Sequence, residues 1–224
     1  MSKRFLEGFV VDPVELDKLV GTVKLSPKEI RAKTKKSAVS DVDMAFGQGD
    51  AKKGKTRVDK VLAQLASGKL RTTNAPDLVR MTTLVLNAYA KSLGKIEVPY
   101  VDGHELGLWN PVFKALGMLE MAKDYGVASL AFPFKKSPDV AWPITMIVEG
   151  AALQAWNTEL STDWQSKLPA LSDKVFTDKK HAAKGERVAA TKTELGLALG
   201  RLKNWVTTTL EAELALALIL DGDR

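Results

Sequence analysis

The sequence predicts a mainly α protein. A helical, bundle-like body follows a basic, partly extended N-terminal region and ends in a long C-terminal helix. Apolar residues recur at three- and four-residue intervals through residues 71–224, which are rich in Ala and Leu. Capping residues and glycines punctuate those stretches. Charge divides the chain at the same place: residues 1–70 hold 15 Lys/Arg and 9 Asp/Glu, whereas residues 71–224 hold 18 of each. The chain is therefore read as a basic region, 1–70, and a charge-neutral helical body, 71–224.

In the basic region, Phe9, Val10 and Val11 form either a strand or an arm that docks on a neighbour. Asp12 caps a short helix with Pro13 at its first position and Gly21 beyond its end. Ser26, Pro27 and Glu29 have the capping-box spacing and open a second helix at Pro27. That helix carries few apolar residues, Ile30 and Ala32 among them, and many cations. Residues 37–55, with Gly47, Gly49 and Gly54 among Ser, Asp and Lys, read as a loop. A helix then runs from Thr56 to Ser67, with Val58, Val61, Leu62 and Leu65 on one face and Gly68 closing it.

The body opens at Asn74, which caps a helix with Pro76 in its first turn. Leu78, Met81, Val85, Tyr89 and Leu93 carry that helix to Gly94. The β-branched residues, Pro99 and an Asp-Gly turn near 95–108 suit a short hairpin or an irregular connector. Asn110 and Pro111 open a helix that runs to Gly126. Residues 127–143, with three prolines, read as extended or looping. Residues 144–160 read as one apolar helix and 178–187 as a polar connector. The final helix spans 188–220. Its last turns, Leu214 to Leu220, alternate like a strand, but Ala, Leu and Glu dominate and favour helix.

Composition excludes several classes. There is no cysteine, so there are no disulfides, thiolate zinc sites or iron–sulfur clusters. No apolar run reaches the ~18 residues of a membrane span. Glu7, Gly8 and Asp12 interrupt the N-terminal apolar run, which is no signal peptide. The expected setting is intracellular: cytoplasmic, or within a virus particle. No metal site or cofactor is expected. The two histidines, His104 and His181, are too few for a triad or a multi-histidine metal site. The five tryptophans all fall in the neutral body, where core or interface packing explains them. Phe132, Phe134, Lys135 and Lys136 are the one place where aromatics and cations alternate as base stacking requires.

Two readings remain for the basic region. In the first, Lys28, Arg31, Lys33, Lys35, Lys36, Lys52, Lys53, Lys55 and Arg57 neutralise phosphates without reading bases. The protein is then a non-enzymatic, coat- or nucleocapsid-like nucleic-acid binder. RNA is expected before DNA, and the apolar termini assemble a homo-oligomer. In the second, residues 49–56 match G-x-x-x-x-G-K-S/T, and Gly49, Gly54, Lys55 and Thr56 hold a nucleotide. A helix follows that motif as required, but Ser40, Val42 and Phe46 among acidic residues make a poor preceding strand. A helical protein–protein adaptor with a merely solubilising basic segment is the third alternative.

Overall fold

The computed structural model describes residues 4–71, 74–98, 109–124, 144–176 and 185–221. Over these residues the chain is largely helical, yet a four-stranded antiparallel sheet organises it. In chain order, β1 (Arg4–Val11) leads to α1 (Pro13–Asp17) and a 3-10 turn at Val23–Leu25. Next come α2 (Pro27–Lys33), α3 (Lys36–Phe46), α4 (Ala51–Ala66), α5 (Ala75–Tyr89) and β2 (Lys91–Val98). α6 (Trp109–Leu116), α7 (Leu119–Asp124), β3 (Ile144–Val148), α8 (Gly150–Leu160) and α9 (Trp164–Ala170) follow. A second 3-10 turn (Asp173–Phe176), α10 (Gly185–Glu211) and β4 (Ala215–Asp221) complete the described elements.

The strand order is β2-β1-β4-β3. The first and last strands of the chain are therefore neighbours at the centre, with Leu6 opposite Leu220 and Phe9 opposite Ala217. Alternation along each strand sends side chains to two separate cores. Leu6, Ile96, Met146, Val148, Leu216 and Leu218 face a core completed by α6–α10. Phe9, Val11, Ala215, Ala217 and Ile219 face a core completed by α1–α5. The result is three layers, helices on both faces of one sheet, with the N-terminal helices on one side and the C-terminal helices on the other. Trp156, Trp164 and Trp205 are buried in the second helical layer. Trp205 lies directly on the sheet at Gly8, where an added Cβ would come within 2.4 Å of the indole.

Several expectations are corrected here. The bundle gives way to a sandwich because both ends of the chain are strands. The final helix stops at Glu211, and Leu214–Leu220 leaves it: its strand-like alternation prevails over the helix propensity of Ala and Leu, and β4 is apolar throughout because it is buried on both faces. Of the two readings of Phe9 to Val11, strand or docking arm, the strand is found: the basic region contributes an interior strand, β1. The apolar termini lie in the chain's own cores, and their burial supplies no assembly surface.

Residues 144–160 divide into β3 and α8 at Gly150, whose φ is +54°. The helix from Asn74 ends at Tyr89, and Leu93 and Gly94 belong to β2. The helix expected over 110–126 breaks at Gly117 into α6 and α7. Residues 37–55 are mostly helical, because Val39, Val42 and Phe46 share a face that packs into the core. Of the region near 95–108, residues 95–98 pair with β1 rather than forming a local hairpin, and the remainder lies outside the described residues. Residues 127–143 also lie outside them, as does most of the 178–187 connector.

Candidate functional site

The nine basic residues singled out from sequence separate into two groups. Arg31 is largely buried, whereas Arg57 is exposed; both are held in ion pairs within the fold. From α2, Arg31 donates two bonds of 2.9 Å to the Asp43 carboxylate and one of 2.8 Å to Asp59. It thereby ties α2, α3 and α4 together. Burial alone would lower its pKa, but the hydrogen bonds and charges of Asp43 and Asp59 outweigh burial and raise it. Arg57, on α4, reaches the Phe46 carbonyl at 3.3 Å and Asp77 at 2.5 Å. Asp77 is almost fully buried at the start of α5, and its Oδ1 has no hydrogen-bond partner. Burial pushes its carboxyl above the usual carboxylate range, and Arg57 and Arg80 only partly oppose this. Arg31 is committed to its two carboxylates, while Arg57 pairs with Asp77 and keeps part of its side chain at the surface.

The seven lysines are exposed. Lys28 and Lys33 ride on α2, and the Lys33 ammonium sits 4.9 Å from the centre of the Tyr89 ring. Lys35 and Lys36 stand at the start of α3. Lys52, Lys53 and Lys55 occupy the first turn and a half of α4. Because α3 and α4 form an antiparallel hairpin, these last two groups mark its opposite ends, separated by the ~16 Å length of an 11-residue helix. Lys53 also approaches Asp50 at 3.7 Å.

The 49–56 motif takes an unexpected form. A helix, α3, precedes it in place of a strand, and α4 begins at Ala51, so Gly54, Lys55 and Thr56 are already helical. The Asp50 carboxylate accepts from the N–H groups of Lys52 and Lys53, so a carboxylate sits where a phosphate would be held. The Thr56 hydroxyl donates to the Lys52 carbonyl. Gly49 does provide a left-handed residue, φ +95°, in the turn. Gly54 instead serves close packing: a Cβ there would lie 1.6 Å from the Asp43 carbonyl oxygen. The structure thus brings the motif's residues together as a tight helical hairpin, without a phosphate-wrapping loop.

Beside the α3 N-terminus lies a polar cleft of about 180 Å³ between α3, α5 and the β1–β2 side of the sheet. Glu7 lines it, on the interior strand β1 at a position flanked on the same face by Phe5 and Phe9. Its side chain is 8% exposed and pairs at 2.5 Å with Lys95, the residue directly opposite on β2. Lys35, Ser37, Thr83 and Asn87 face the same space. Sequence reading missed Glu7 as a functional candidate. The available signal was a carboxylate in an otherwise apolar strand, Phe5 to Val11.

A larger groove of about 570 Å³ runs between α9 and α10 past Trp164, Leu168 and Gly196. Its one ammonium, Lys192, is fully engaged by the Pro169 and Leu171 carbonyls and Asp173 at 3.2, 2.7 and 3.0 Å. It ties down the end of α9 and retains no donor for a ligand. Among the described residues no group of three His, Asp or Glu is placed to hold a metal, and no helix is long and apolar enough to cross a membrane. His104, His181 and residues 132–136 lie outside the described residues. No known family model, no curated protein and no solved structure matches this chain.

Proposed function

We propose that the protein binds the phosphate backbone of nucleic acid, without reading sequence, through the lysines of α2, α3 and α4. The supporting observation is the distribution of charge over the layers. Residues 12–90, which contain the whole N-terminal helical layer, hold 15 Lys/Arg against 9 Asp/Glu. Arg31 and Arg57 are engaged in ion pairs with Asp43, Asp59 and Asp77, while Lys28, Lys33, Lys35, Lys36, Lys52, Lys53 and Lys55 are exposed. Exposed ammonium groups at both ends of the ~16 Å α3–α4 hairpin suit a strand passing along it. The role is one of binding; single-stranded RNA is the preferred partner.

The test is binding of a mixed-sequence single-stranded RNA, followed by fluorescence anisotropy across a salt series. Five phosphate contacts correspond to a log–log salt slope of about −3.5, a loss of roughly 10²-fold between 50 and 200 mM salt. Replacing Lys52, Lys53 and Lys55 together by Gln reduces that slope by about 2. Binding absent at 50 mM salt, or indifferent to salt, overturns the proposal and leaves the adaptor reading.

A further inference from the structure

We infer that the polar cleft beside α3 is a binding site for a small zwitterion of amino-acid size. Three features of one cavity carry this. Glu7 places a carboxylate on its wall at a strand position where the surrounding pattern is apolar, and it is more than nine-tenths buried. Desolvating a carboxylate is costly, so a buried one at such a position is an informative exception to core patterning. Lys95 uses Glu7 Oε1, and a carboxylate offers about four lone-pair sites, so Glu7 retains room for a second ammonium donor.

The second feature is a set of donors on the same cleft. Lys35 stands at the N-cap of α3 and no side chain caps that helix. Ser37 and Ala38, in its first turn, line the same cleft. The free N–H groups of a first turn, together with the Lys35 ammonium, suit a carboxylate. The third feature is size. About 180 Å³ admits a compact polar molecule and excludes a nucleotide. Thr83 and Asn87 also line the cleft; their side chains donate to the Val79 and Thr83 carbonyls and offer oxygen lone pairs. A ligand carrying both an ammonium and a carboxylate satisfies Glu7 and the α3 donors at once, whereas a diacid or a diamine opposes one of them. Asp41 also lines the cleft and balances its charge at two cations and two anions.

The test is the thermal unfolding midpoint of the full chain with each of the twenty common amino acids. Succinate, putrescine and glycerol serve as controls. At a ligand concentration of ten times Kd, the midpoint rises by about 4 °C for at least one amino acid and not for the three controls. The rise is lost in Glu7→Gln and in Lys35→Ala. Lys35 is at the exposed rim, so its variant decides the matter if Glu7→Gln does not fold. No shift with any amino acid, a shift that survives Lys35→Ala, or an equal shift with succinate or putrescine overturns the inference.

Discussion

A methyl group added at Gly54 would lie 1.6 Å from the Asp43 carbonyl oxygen and 2.8 Å from the Gly47 amide nitrogen. Both are backbone atoms, so no side-chain rotation relieves the contact. Gly54→Ala therefore destabilises the fold by about 3 kcal/mol, a fall of roughly 6–12 °C in Tm for a chain of this size. Gly49 has open space around it and only its left-handed φ to lose, so Gly49→Ala costs about 1 kcal/mol. Denaturant unfolding of the two variants checks the ratio. Equal, small losses would show that the hairpin does not close on Gly54. Residue-scale chemistry was the most legible part of the sequence. Asp12, Ser26 and Asn74 cap the helices their positions announce, since an N-cap bond spans only two or three residues. The roles of Arg31 and Arg57 were not legible. Their acceptors, Asp43 and Asp77, are 12 and 20 positions away and meet them only after α3, α4 and α5 have packed.

At the scale of elements, the hardest boundary to read is one that lacks a glycine or proline. The break between α10 and β4 falls at Glu213, a non-glycine residue held at φ +55°. Its N–H bonds to Leu210 O at 3.0 Å, and Leu214 N bonds to Thr209 O at 3.3 Å, so the turn closes the helix as a glycine C′ residue would. Nothing in the residue types announces it. Glycine at this position removes the left-handed strain but loosens the unfolded chain. Glu213→Gly therefore yields a net gain of about 0.5–1 kcal/mol, or about 2 °C in Tm, whereas Glu213→Ala yields none. Calorimetry on the two variants distinguishes them, and equal midpoints would mean that φ at 213 carries no strain. The contrast with Gly150 is instructive. It did mark the end of β3, but β3 and α8 are both apolar, and residues 144–160 merge into a single hydrophobic stretch.

For the molecule as a whole, everything depends on a pairing between the two ends of the chain. β1 and β4 are sequence-distant and adjacent in the sheet, with Phe5 opposite Asp221, and each lends side chains to both cores. Local periodicity carries no information about such a partner. The sequence therefore reads as a bundle with tails when both tails are interior strands. The physical consequence concerns folding. A sheet centred on its first and last strands has high contact order, and neither helical layer has its floor until β4 arrives. Deleting residues 214–224 removes β3's only partner among the described strands and strips Ala215, Leu216, Ala217, Leu218 and Ile219 from the two cores. Those five side chains are all buried, so the loss, roughly 6–11 kcal/mol of apolar burial, is comparable with the 5–15 kcal/mol that holds an ordinary domain together. The truncated chain is expected to show no cooperative denaturant transition and to expose apolar surface to a hydrophobic dye, with residual helix by circular dichroism. If it instead retains a cooperative transition with the m-value of a smaller unit, α1–α5 fold without the sheet's centre. The division near residue 70, at which the charge also changes, would then be a boundary between independently stable parts.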